Sequence, residues 1–182
     1  MISPTRITDA SPASIAGLVE SYARSFDATT FYPVRVQFDG LPPEEVDKWH
    51  RLGIAQKVYR ALHNPGQELW VVRVHDGKGE REGRGVDERV PRDGPTPYDA
   101  ELNDMPAQAQ ARGEFLHARS DALKAAAGGG YHLSWLGTVP KHRGRGMAGA
   151  LVEYYTRFGF TIAGYDEWET DGNRFTWWVM IA

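Results

Sequence analysis

Three features of the 182-residue chain predict an α/β fold. The stretch from Tyr131 to Ala150, YHLSWLGTVPKHRGRGMAGA, reads as a half-apolar strand, a basic glycine-rich turn and the start of a helix. Leu69 to Val74 (LWVVRV) is a strand that follows a long amphipathic helix. The chain then closes on two apolar segments, Phe160 to Trp168 and Arg174 to Ile181, joined by the hairpin signal Asp171-Gly172.

The elements follow in order. Met1 to Ile7 is a short strand. Ser11-Pro12 is an N-cap followed by proline at the first helical position, and Ile15, Leu18, Val19, Tyr22 and Phe26 recur at helical spacing behind it. FDATTFYPV is an apolar loop or short helical turn. Pro42, Pro43, Glu44 and Glu45 open a second helix, because proline and acidic residues both suit a helix N-terminus. Its buried stripe is Val46, Trp49, Ile54, Val58, Ala61 and Leu62, and Asn64-Pro65-Gly66 stops it. After LWVVRV, Asp76-Gly77 signals a hairpin, yet KGEREGRGVDERVPRDGPTP carries no apolar pattern. Residues 78–105 are therefore read as a flexible charged loop, with no buried strand between Lys78 and Pro97. A helix is expected from about Pro106 to Ala127, and another from Met147 to Phe158. Trp177 and Val179 alternate with Trp178 and Met180, so the last strand is apolar on both faces and is expected to be central or covered on both sides. The whole, residues 1–182, reads as one domain.

Composition narrows the function. Apolar residues make up 41% and six are tryptophan, enough to build a core. A net charge of −3 argues against nucleic-acid binding through a bulk positive field. The absence of cysteine removes disulfides, thiolate metal sites and a cysteine nucleophile together. The six histidines show no metal-ligand spacing, so no metal site is expected. No apolar run reaches the roughly 18 residues of a spanning helix, and MISPTRITDA lacks a signal core. The expectation is a soluble, intracellular, cytoplasmic protein with no membrane or nucleic-acid partner.

The glycine-rich turn carries the chemistry. First-turn N–H groups of a helix have no intrahelical partner, and aligned peptide dipoles place about half a positive charge there. Gly144, Gly146 and Gly149 let an anion reach the main chain, and Lys141, His142, Arg143 and Arg145 surround it with cationic charge. A phosphate-bearing ligand fits that arrangement.

VPKHRGRGMAGALV resembles the acetyl-CoA motif of the GNAT superfamily of N-acetyltransferases. That motif is Gln or Arg, two residues, Gly, one residue, then Gly or Ala, which here falls on Arg143, Gly146 and Ala148. A second family motif, a tyrosine a few residues before Gly-Phe, resembles Tyr154-Tyr155-Thr156-Arg157-Phe158-Gly159-Phe160. The resemblance covers about Tyr131 to Trp168. It implies a GNAT-like mixed β-sheet flanked by helices, acetyl-CoA as co-substrate and acetyl transfer to an amine. It further implies that amides of Gly144, Arg145, Gly146, Met147, Ala148 and Gly149 hold the pyrophosphate, with Arg143 at the mouth. Main-chain groups of Leu136 and Thr138 would pair with the pantetheine arm as an added strand does. Tyr155 matches the tyrosine that protonates the departing thiolate, with Tyr154 its competitor about 100° away on a helix. The amine must also lose a proton, and His132 is the best-placed base, although one strand histidine is commonly structural. Phe26, Phe31 and Tyr32 either line an acceptor pocket or pack in the core, and Asp166, Glu167 and Glu169 either attract an amine or cap a strand end. The acceptor, a small-molecule or peptide amine, stays open.

Against the family pattern, one or two strands are missing. None returns after Asp76-Gly77, and ALVEYYTRFGF runs from the cofactor motif straight into the tyrosine motif, where the family has a strand. The sheet is then expected to close with the Phe160 strand beside the Tyr131 strand, or to leave a gap. Two other readings stand beside the enzyme: a catalytically inactive or truncated homologue, and an NAD(P)-binding oxidoreductase using Gly144-x-Gly146-x-x-Gly149 with Asp166 and Glu167 downstream.

Overall fold

The computed structural model describes residues 2–26, 31–64, 67–75, 80–88, 94–126, 132–138, 152–153, 155–170 and 173–181. The elements are β1 (Ile2–Ile7), α1 (Pro12–Ser25), α2 (Tyr32–Gln37), α3 (Pro43–His63), β2 (Gln67–His75), β3 (Glu80–Glu88), α4 (Asp99–Leu102), α5 (Ala107–Ala126), β4 (His132–Thr138), β5 (Thr161–Thr170) and β6 (Asn173–Ile181). The fold class is α/β, with six strands in one sheet in the order β1-β2-β3-β4-β6-β5.

α1 begins where its sequence dictates. The Ser11 hydroxyl accepts from the Ser14 N–H at 3.3 Å, and Asp9 fixes Ser11 by accepting from its N–H and hydroxyl at 2.9 and 3.0 Å. Proline at the first position of α3, with Glu44 and Glu45 behind it, supplies the same start signal in another form. The two helices pack together over β2. Ile15, Leu18, Tyr22, Ala23 and Phe26 from the α1 segment meet Ile54, Val58 and Ala61 of α3 above Leu69, which is completely inaccessible. Ile7, Leu69, Val86 and Trp135 are successive register partners, so one row of the sheet runs across four strands beneath that core. At the helix surfaces Arg51 joins α3 to α1, reaching Glu20 at 2.5 Å and its own-helix neighbour Asp47 at 2.8 Å. Arg51 and Arg24 together hold the Glu20 carboxyl below its usual range, Arg51 contributing most.

A second core lies between helices. Val34, Phe38, Trp49 and Ala109 bring α2, α3 and α5 into contact, with Phe31, Leu41, Val46, Leu52 and Met105 packed around them. Gly113 marks the closest approach of α5 to α2: a Cβ there would lie 2.7 Å from the Gln37 amide nitrogen.

Three expectations require correction. Residues 78–105 are not a loop throughout. Glu80 to Glu88 form β3, an interior strand paired antiparallel with β2 on one side and β4 on the other. Ladder hydrogen bonds to two neighbours are made by the main chain, so β3 does not require the apolar alternation by which strands are recognised. Residues 94–105 are also ordered against α3. The Asp99 carboxylate accepts from the Thr96 hydroxyl at 2.6 Å, the Thr96 N–H at 2.7 Å and the Gln56 amide at 2.7 Å, and Arg60 lies 3.8 Å away. Those donors, Thr96 first, lower its pKa to about 2.

The second correction concerns strand direction. Among the described residues the sheet is not mixed: all five pairings are antiparallel. A parallel pair would require the strand that follows β4 in the chain to lie beside it, and that strand, β5, sits at the edge with β6 between. Third, the Phe160 strand therefore does not move up beside the Tyr131 strand. Its hairpin partner takes that place, which makes β6 the interior strand its two apolar faces predict. Of the two strands read as missing, β3 is present. Among the described residues between 138 and 161 there is no strand.

Candidate functional site

The site predicted from the glycine-rich turn is bounded by β4 before it and the tyrosine segment after it. Arg143, Gly144, Arg145, Gly146, Met147, Ala148 and Gly149 lie outside the described residues, as does Tyr154. Leu136 and Thr138 lie within them, on the last turn-proximal residues of β4, where their register partners are Gly85 and Gly83 of β3. Their side chains are not what the expected role uses. The expected role would use main-chain N–H and C=O groups on the edge of β4 that faces away from β3.

That edge is open. β4 pairs with β6 at only two positions, His132 with Ile181 and Leu133 with Met180, and the strands then diverge. Among the described residues, Ser134 to Thr138 have no register partner on the β6 side, while the same residues continue to pair with β3. The divergence begins after Met180, which is 5% exposed. The sheet is thus zipped at the start of β4 and parted at the end that leads into the glycine-rich turn. The main-chain donors and acceptors of such an edge are the groups with which an added strand, or an extended ligand bearing amides, pairs.

Tyr155, which follows the turn in sequence, is half-buried at the end of a helical segment that includes Val152, Glu153 and Thr156. The segment ends in a defined way. Phe160 N–H donates to the Tyr155 carbonyl at 3.2 Å and Gly159 N–H to the Thr156 carbonyl at 3.1 Å, with Gly159 at φ 88°. This 6→1 and 5→2 pair, with glycine in the left-handed region between them, is a Schellman cap, and its usual apolar contact is present as the Tyr155 ring against Phe160. Tyr-x-x-x-Gly-Phe therefore has a structural cause: three of its positions are the C3, C′ and C″ sites of a helix terminus.

The chain matches no family model, no curated protein and no solved structure.

The remaining sequence candidates separate cleanly. His132 sits in the closed part of the β4–β6 junction, opposite Ile181. Phe26 is 6% exposed, its ring stacked on Tyr22 at 5.9 Å and edge-on to Phe31 at 4.8 Å, so Phe26 and Phe31 pack into the α1–α3 core. Asp166, Glu167 and Glu169 lie on β5, the outer strand of the sheet, with β6 between them and the open edge of β4. Tyr165 and Ile162 on the same strand are more than half exposed. Among the described residues no group of His, Asp and Glu is arranged to hold a metal ion, and no helix is long and apolar enough to cross a membrane. The perturbed carboxylates, Glu20 and Asp99, secure α1 and α4 against α3 and contribute nothing to the β4 opening.

Sequence reasoning missed the part played by β6. Its two apolar faces pointed to an interior or covered strand, but not to which strand it would flank.

Proposed function

We propose that the chain is an N-acetyltransferase that moves an acetyl group from acetyl-CoA to an amine. The observation that carries this reading is the parting of β4 from β6 after Leu133, directly before the basic glycine-rich turn. A nucleotide diphosphate suits a glycine-rich turn at a helix start. The two amides of a pantetheine arm suit an unpaired strand edge. One ligand carries both groups in series, and the chain sets both binding features in series, Leu136 and Thr138 followed by Arg143 to Gly149.

The chemistry expected is direct. An amine nitrogen attacks the thioester carbonyl, a C–N bond forms, the C–S bond breaks, the amine gives up a proton and the departing thiolate receives one. Hydrogen bonds from main-chain groups orient the thioester, and orientation alone supplies a large part of such a rate enhancement. Tyr155 is the residue proposed to protonate the thiolate.

A second reading is favoured by one observation. Since helix capping accounts for Tyr155, Gly159 and Phe160, the tyrosine needs no catalytic role to be explained, and a homologue that binds acetyl-CoA without turning it over would look the same. The dinucleotide reading finds less support: its βαβ unit needs an adjacent parallel strand, and the neighbour of β4 is antiparallel. Turnover of acetyl-CoA with a panel of amines, followed as free thiol released, tests the enzyme reading. Saturable acetyl-CoA binding without thiol release for any amine would select the inactive homologue.

A further inference from the structure

The divergence that exposes β4 also exposes a second edge. β6 pairs with β5 along its whole length, from Asn173 opposite Thr170 to Ile181 opposite Thr161. On its other side only Met180 and Ile181 are paired, so among the described residues Asn173 to Val179 turn an unpaired edge towards the gap. The gap is therefore walled by two antiparallel strands, and one pantetheine arm on β4 leaves the β6 wall without a partner. Had a strand stood between β4 and β6, that wall would have been consumed by its pairing. Placing β6 next to the opening is what creates it.

We propose that this wall binds the acceptor, and that the acceptor is an extended peptide that adds to β6 as a strand. The inference rests on the transferase reading and names the substrate class of the same site. Chemistry selects the class. A strand edge presents the N–H and C=O groups of alternate residues, a pattern that repeats about every 6.6 Å. Only a ligand with both donors and acceptors at that repeat satisfies it. A polyamine brings donors alone, and a small amine spans one position. A peptide matches the whole edge, and because recognition runs through the main chain it tolerates many side chains.

The test uses the full chain and a hexapeptide of alternating valine and threonine with a free amino terminus. Two analogues carry N-methyl groups on alternate residues, one on the even set and one on the odd set, each set projecting to one side of a strand. Binding is measured by calorimetry without acetyl-CoA, so its outcome does not depend on cofactor binding, and amide hydrogen exchange is followed at 174–179. The expected result is binding of the parent peptide with slowed exchange at the alternate amides of that stretch that face the gap, the others being bonded to β5 already. One analogue should bind at least about tenfold more weakly and the other nearly as well as the parent. No binding, equal binding of all three peptides, or equal weakening of both analogues would overturn the proposal. If the peptide binds but acetyl-CoA does not, the transferase reading fails and the peptide edge stands. If acetyl-CoA binds and spermidine is acetylated while the hexapeptide neither binds nor reacts, the peptide edge fails and the transferase reading stands.

Discussion

The rings of Tyr155 and Phe160 meet edge to face with centroids 5.4 Å apart, five residues apart in sequence, while the Phe160 N–H closes back on the Tyr155 carbonyl. The contact fixes where the helix stops and where β5 starts, at Thr161. The same tyrosine is the proposed acid, so one side chain is asked both to finish a helix and to face the chemistry. Its ring serves the first task and its hydroxyl the second, and the two separate by mutation.

Tyr155→Phe keeps the ring and removes the hydroxyl. The variant should still fold, because the apolar contact of the cap survives. The rate of acetyl transfer should fall far more than the affinity for acetyl-CoA. Equal losses in rate and affinity would remove the acid role. Tyr155→Ala, in contrast, should lower thermal stability as well.

Gly159→Ala tests the cap from its other end. At φ 88° an L residue meets its own backbone, at a cost of roughly 1–2 kcal/mol. For a chain of this size each kcal/mol shifts the melting temperature by about 2–4 °C, so a drop of a few degrees is expected in calorimetry. An unchanged melting temperature would mean that the left-handed turn is not formed.

Asp99 should leave a mark on the acid side of the stability curve. Its pKa is lowered from 3.8 to about 2 in the folded chain, so its hydrogen bonds stabilise fully above the unfolded value and lose their effect as pH falls towards 2. The urea midpoint of the wild type should therefore exceed that of Asp99→Asn at about pH 6. The difference should shrink between about pH 4 and pH 2. A constant difference over that range would contradict the hydrogen-bonded carboxylate.

Leu69→Ala removes a side chain of β2 that is wholly inaccessible beneath α1 and α3. Loss of a buried leucine leaves a cavity and costs about 2–5 kcal/mol. Tyr165→Ala on the exposed surface of β5 should stay within about 0.5 kcal/mol of wild type by chemical denaturation. Comparable losses for the two would mean that the core is not where Leu69 places it.

Much of the helical layer was legible because its signals are local. Ser11-Pro12 and Pro42-Pro43-Glu44-Glu45 mark starts through groups that act within one turn, and Ile54, Val58 and Ala61 recur at the period of the helix they build. β3 was not legible, for the opposite reason. EREGRGVDE is held by main-chain bonds to strands before and after it, one of which lies more than forty residues further on, and a charged, glycine-bearing segment gives no pattern that such pairing requires. Strand order was hidden likewise: Asp171-Gly172 announces a hairpin, but which arm of it faces β4 depends on the rest of the sheet. At the candidate site, Leu136 and Thr138 were read as an edge from resemblance. The structure gives that edge its cause in the two-residue pairing of β4 with β6, and it gives the tyrosine motif a second explanation in helix capping.

Calorimetric titration of the purified chain with acetyl-CoA, alongside Gly146→Glu, addresses the central claim. The account predicts one saturable site in the wild type and no detectable heat from the variant at an unchanged melting temperature, because a glutamate side chain brings bulk and like charge to the phosphate position. A folded wild type that gives no heat, or a variant that binds as tightly as the wild type, would contradict it.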